Sequence, residues 1–183
     1  MTPMRRASTR SRQPIVPEMR RGWVMYPGSF DPVTYGHLDL IRRALRVFPG
    51  VLIAVARNPE KQPLFSIEER VAMLQRATRT LRRVAVESFN ALTVTYAASR
   101  GMVMIIRGVR QMTDFEYEFQ WALTNRKLNP RLETIYLMPS ERYAYLSSRL
   151  IKEAAQLGGD VTAFVPPFVA HALRARLRAT PRR

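Results

Sequence analysis

Residues 26–37, Tyr-Pro-Gly-Ser-Phe-Asp-Pro-Val-Thr-Tyr-Gly-His, gather the residue types that handle phosphate. Glycine lets a ligand approach the main chain closely, and the free N–H groups at a helix start attract anions. His37 adds a charge-capable donor at the point where phosphate charge would build up. A second cluster, Arg107-Gly108-Val109-Arg110, sets two guanidinium forks on either side of a glycine. That spacing suits two different phosphates beside exposed backbone N–H groups. Such a pair in an arginine-rich chain is ordinarily surface charge; its place after an apolar run sets it apart. A third cluster runs Tyr143-Ala144-Tyr145-Leu146-Ser147-Ser148-Arg149-Leu150-Ile151-Lys152. Its serines open a helix, where they serve as N-caps and where the same geometry binds triphosphate. The common chemistry is transfer at phosphorus, which depends on positioning and charge stabilisation.

These clusters need elements to hold them, and apolar runs of two kinds alternate along the chain. Trp23–Met25, Val51–Ala56, Val84–Val86, Met102–Ile106 and Thr134–Leu137 read as strands, with Met102–Ile106 the most apolar and a central one. Helices are predicted from Leu38 to Phe48, with Gly36 and His37 in the first turn, and from Leu92 to Ser99. Ser66-Ile67-Glu68-Glu69 is a capping box opening a helix to about Thr78. Asp114–Leu128 reads as a helix with Phe115, Phe119, Ala122 and Leu123 on one side and Phe115 in the core. Ser148–Leu157 is ended by Gly158-Gly159, and Pro167–Leu177 closes the chain. This alternation predicts a single α/β domain, a doubly wound (Rossmann-like) parallel five-stranded sheet with helices on both faces. Ligands in such sheets bind beyond the carboxyl ends of the strands.

Composition narrows the chemistry. The 183 residues contain no cysteine and two histidines, His37 and His171, which excludes thiolate chemistry and argues against a histidine-rich metal centre. No apolar run is long enough to span a bilayer. Neither a GxxxxGK loop nor a Ser-His-Asp signature is present. The formal charge is +16, yet residues 1–21 carry six arginines against one glutamate and residues 172–183 five arginines and no acid. Most of the excess thus lies near the ends, where like-charged runs stay solvated. Residues 1–21 are expected to be a basic, disordered arm, or the result of an upstream start codon with Met19 the functional start. The domain is expected over 22–178, followed by a basic tail over 179–183.

Thr34-Tyr35-Gly36-His37 resembles the T/H-x-G-H signature of the nucleotidyltransferase superfamily, and Gly28–Pro32 resembles the turn preceding it. The run ending at Lys152 is similar to the superfamily's second signature, Ile-Ser-Ser-Thr-x-x-Arg, departing from it at Leu146, Arg149 and Lys152. Arg107–Arg110 and Asp114-Phe115-Glu116-Tyr117-Glu118 resemble the phosphopantetheine adenylyltransferase branch, and the likeness runs from about Met25 to about Leu177. The resemblance implies adenylyl transfer from ATP to 4′-phosphopantetheine without a covalent enzyme intermediate. It implies His37 as transition-state stabiliser. ATP would meet Ser29, Phe30, His37, Gly108, Val109, Arg110 and Glu118, together with Tyr143, Ala144, Tyr145, Leu146, Ser147, Ser148 and Arg149. The second substrate would meet Ser29, Lys61, Thr93 and Arg107. The resemblance further implies Mg²⁺ carried by ATP with no protein metal cage, a cytoplasmic homohexamer, and feedback by coenzyme A.

Two other readings compete. A sister enzyme acting on nicotinate or nicotinamide mononucleotide would share the corner, but its first motif usually has His where Thr34 stands. A basic nucleic-acid-binding protein would need aromatic residues interleaved with the arginine clusters, or an RNP or zinc-finger signature; none is present.

Overall fold

The computed structural model describes residues 22–57 and 62–179. Strands β1 (Val24–Gly28), β2 (Val51–Ala56), β3 (Val84–Phe89), β4 (Met104–Gly108) and β5 (Glu133–Leu137) alternate with helices. The helices are α1 (Tyr35–Val47), α2 (Ile67–Thr78), α3 (Thr93–Ser99), α4 (Met112–Leu128), α5 (Ser148–Gln156) and α6 (Pro167–Ala179). The predicted arm over 1–21 lies outside the described residues, as do Lys61 and the tail beyond Ala179.

All strand pairs are parallel, in the order β3-β2-β1-β4-β5. The chain builds outward from β1 to β3, then crosses back to place β4 on the other side of β1. The connections therefore diverge between β1 and β4 and leave a crevice beyond their carboxyl ends, the topological switch point. This is the doubly wound sheet that the alternation predicts.

The buried strand residues alternate between two cores, as the period of two requires. Val24, Tyr26, Ile53 and Val55 meet α1, α2 and α6 through Ile41, Leu74 and Leu173. Met25, Leu52 and Ala54 meet α3 on the opposite face, with Val94, Ala97 and Leu132. The β2 run VLIAV is fully buried because helices cover both faces. Ser66 and Glu69 complete the predicted capping box, and Gly158, at φ +86°, stops α5.

Three expectations change. β4 starts at Met104, since Met102 N–H is taken by Ala97 O at 2.9 Å. It is an interior strand, as expected, and Arg107 and Gly108 lie within the ladder, opposite Tyr136 and Leu137. Likewise β1 runs on to Gly28, so Pro27 and Gly28 belong to the sheet. On α4, Phe115 is not core: Phe115, Phe119 and Leu123 are 41–49% exposed, while Glu118 and Asn125 are buried. The sheet side of this helix carries Glu118, Trp121 and Asn125, with Arg107 of β4 against Glu118 and Trp121.

Candidate active site

A cavity of about 460 Å³ opens at the carboxyl ends of β1 and β4. Its first wall is the corner between β1 and α1. Thr34 caps α1, and its Oγ1 accepts the His37 backbone N–H at 3.3 Å. The His37 ring completes the box from its side: Nδ1 accepts the Thr34 backbone N–H at 3.0 Å. A ring nitrogen that accepts an N–H carries no proton, so the neutral imidazole bears its proton on Nε2. Burial, with Arg110 and Arg107 nearby, lowers the His37 pKa to about 4. His37 is therefore a neutral donor near pH 7. Phe30, buried at φ +49°, packs edge-on against His37 at 5.0 Å and against Tyr26 at 5.2 Å, fixing the ring from behind.

Arg107 enters from β4. Its Nε and Nη2 donate to both Glu118 oxygens at 2.7 and 2.5 Å, and its Nη1 donates to Pro27 O at 3.1 Å. The guanidinium also lies over the Trp121 ring, 4.8 Å from its centre. A bidentate pair with a stacked aromatic leaves it little freedom. Gly108 follows because α1 crosses β4 closely: a Cβ there would sit 2.4 Å from Leu40 Cδ1. Arg110 then donates to Asp114 Oδ2 at 3.0 Å and to Leu146 O at 2.9 Å, joining β4 to the loop before α5.

The third wall is the start of α5. Ser147 caps it, accepting the Leu150 N–H at 3.1 Å, and Ser148 Oγ donates to Pro32 O at 2.8 Å. No acidic residue occupies the first turn of α1 or of α5, so neither helix start has its positive end neutralised locally.

Of the residues singled out from sequence, Ser29, Phe30, His37, Thr93, Arg107, Gly108, Arg110 and Glu118 line the cavity. Tyr143, Leu146, Ser147 and Ser148 line it too. Val109, Ala144, Tyr145 and Arg149 do not: Val109 is buried, Tyr145 exposed, and Arg149 points outward to Glu153 at 2.9 Å. Lys61 lies outside the described residues. His171 is exposed on α6.

Sequence reasoning missed two buried hubs. Asp31 accepts the backbone N–H groups of Leu64 and Phe65 at 3.0 and 2.9 Å, and Lys152 Nζ at 2.6 Å. Arg70, 2% exposed, donates to the carbonyls of Ser29, Ala56, Phe65 and Ser66. Both act across long sequence separations. Thr34 was visible as part of a motif, but its hold on the imidazole was not.

A parallel sheet with a nucleotide-sized cleft at its switch point, walled by two helix starts and two arginines, is the arrangement of an enzyme of the nucleotidyltransferase class. Residues 25–154 match the family model described as Cytidylyltransferase-like. The phosphopantetheine adenylyltransferase of Caldanaerobacter subterraneus subsp. tengcongensis is 51% identical over 154 residues, covering 84% of this chain and 96% of its own. That of Thiobacillus denitrificans is 49% identical over the same shares. The chain belongs to the cytidylyltransferase-like family and, within it, to the phosphopantetheine adenylyltransferases. A bifunctional NMN adenylyltransferase/ADP ribose pyrophosphatase from Francisella tularensis shares the fold, with a TM-score of 0.67 at 14% identity. That match covers 87% of this chain, which spans half the length of the two-function protein.

Proposed function

We propose that this chain transfers the adenylyl group of ATP to 4′-phosphopantetheine, giving dephospho-coenzyme A and pyrophosphate. The observation that carries the reading is the Thr34–His37 box, which holds a neutral imidazole at the cleft with Nε2–H free to donate. Close relatives named for this activity, alike over nearly their full length, supply the substrate.

In this reading an oxygen of the phosphopantetheine phosphate attacks the α-phosphorus of ATP in line. The bond to the β-phosphate bridging oxygen breaks, and pyrophosphate leaves with the electron pair. The Nε2–H of His37 donates to an α-phosphate oxygen as negative charge gathers there. Arg107, aimed by Glu118 and Pro27, orients the attacking phosphate with Lys61, and Ser29 sits between the two substrates. Arg110 and the backbone at the start of α5 hold the β- and γ-phosphates. Phe89 and Thr93, at the far wall, border the path of the second substrate.

Mg²⁺ fits as a companion of the nucleotide, neutralising triphosphate charge. Glu118, which lines the cleft, already holds Arg107, Asp114 holds Arg110 and Asp31 holds Lys152, and no cluster of three ligating side chains occurs among the described residues. The exposed aromatic face of α4 supports assembly into the homohexamer that the resemblance implies. No helix among the described residues is long and apolar enough to cross a membrane, in keeping with a cytoplasmic enzyme.

Pyrophosphate release from ATP tests the proposal, with 4′-phosphopantetheine and nicotinamide mononucleotide compared as acceptors. Release with phosphopantetheine, with dephospho-coenzyme A as product, is expected. Release only with the mononucleotide would keep the mechanism and overturn the substrate.

A further inference from the structure

Lys152 occupies the last position of the second signature, yet it does not line the cleft. Ser148 and Lys152 are four residues apart on α5 and therefore share a face. Ser148 Oγ reaches Pro32 O at 2.8 Å and Lys152 Nζ reaches Asp31 Oδ2 at 2.6 Å. One face of α5 is thus docked on two consecutive residues of the turn between Ser29 and His37. Asp31 is 5% exposed, and its other contacts are the N–H groups of Leu64 and Phe65. Its carboxylate is buried with three donors, of which only Lys152 carries charge.

We infer that the Asp31–Lys152 pair is a positioning device for the nucleotide. It clamps the start of α5 to the Ser29–His37 corner, and Lys152 acts through Asp31 rather than on ATP. The inference rests on the proposed function for the identity of the ligand. Two walls of the cleft must keep a fixed separation to grip a triphosphate between them, and a shift of about an ångström is enough to lose the productive geometry. Removing the lysine leaves a buried carboxylate hydrogen-bonded only by two neutral N–H groups, with Arg70 the remaining charge acting on it, so the corner loses its direct tie to the helix. Arginine, which the superfamily signature carries at this position, can make the same bond to Asp31.

Calorimetric titration of MgATP into the wild type, Asp31→Asn, Lys152→Met, Lys152→Arg and the Asp31→Asn/Lys152→Met double variant tests this. Both single removals are expected to weaken ATP binding roughly tenfold or more. The double variant should be no weaker than the worse single. Lys152→Arg should stay near wild type, and KM for phosphopantetheine should not move. Wild-type ATP affinity in Asp31→Asn, or losses that multiply in the double variant, would overturn the inference in favour of a direct lysine contact. Should Asp31→Asn not fold, the salt dependence of ATP binding decides with Lys152→Met alone. A lost direct contact flattens the slope, and a lost strut leaves it unchanged. Wild type that binds ATP without turning over phosphopantetheine refutes the proposed function and leaves this inference to the binding data. Wild type that does not bind ATP overturns both.

Discussion

In the proposed reaction His37 is the residue on which the chemistry turns, and its hydrogen bonding assigns its proton. Nδ1 is occupied by the Thr34 N–H, so the ring can donate only through Nε2. His37→Ala should lower kcat by about 10²–10³ with KM for either substrate little changed, read in steady-state pyrophosphate release. The titration has a definite sign. The imidazole moves from its ordinary 6.5 to about 4 on folding, because burial and then Arg110 and Arg107 disfavour its charge. Between those values the unfolded chain holds the extra proton. The neutral ring therefore contributes stability above pH 6.5 that is lost as pH falls towards 4. An NMR titration of the folded protein should find the His37 midpoint near 4, and a midpoint near 6.5 would refute the assignment.

Elements explain why some substitutions hurt and others do not. Gly108 lets α1 lie against β4, and a Cβ there would meet Leu40 Cδ1 at 2.4 Å. Gly108→Ala should cost about 1–3 kcal/mol in denaturant unfolding, and Leu40→Ala in the same chain should relieve part of that strain. Ser66→Ala removes a cap whose side chain does not line the cleft, so it should cost about 1 kcal/mol with kcat unchanged. The cap, the turn glycines and the apolar runs were readable from sequence because each depends on neighbours within a few positions. Asp31 and Arg70 were not, since the partners that make them hubs, Ser29 and Ala56 for Arg70 and Leu64, Phe65 and Lys152 for Asp31, lie between 14 and 121 residues away. The α4 misreading has a related cause. Periodicity shows that Phe115, Phe119 and Leu123 share a side, but not which side meets the sheet. Arg107, by drawing Glu118 inward, turns the aromatic side out.

For the whole molecule, that outward side is a prediction. Phe115 stacks on Phe119 and leans on Tyr136 of the edge strand β5, so an aromatic patch continues from helix to sheet edge. If the patch closes against other copies of the chain, Phe119→Glu should lower the mass measured by sedimentation while leaving the far-ultraviolet dichroism intact. An unchanged mass would mean that this patch carries no subunit contact. The parallel sheet carries one more consequence. With every strand pointing the same way, the chain must return to the opposite rim before each new strand, as at Pro49-Gly50 ahead of β2 and Thr80–Arg83 ahead of β3. Among the described residues, one rim thus holds the cleft of the proposed reaction and the other the returns. Chain length can vary on that quiet rim at little chemical cost, so a short tag spliced at Thr80 would mark the protein without entering its reaction.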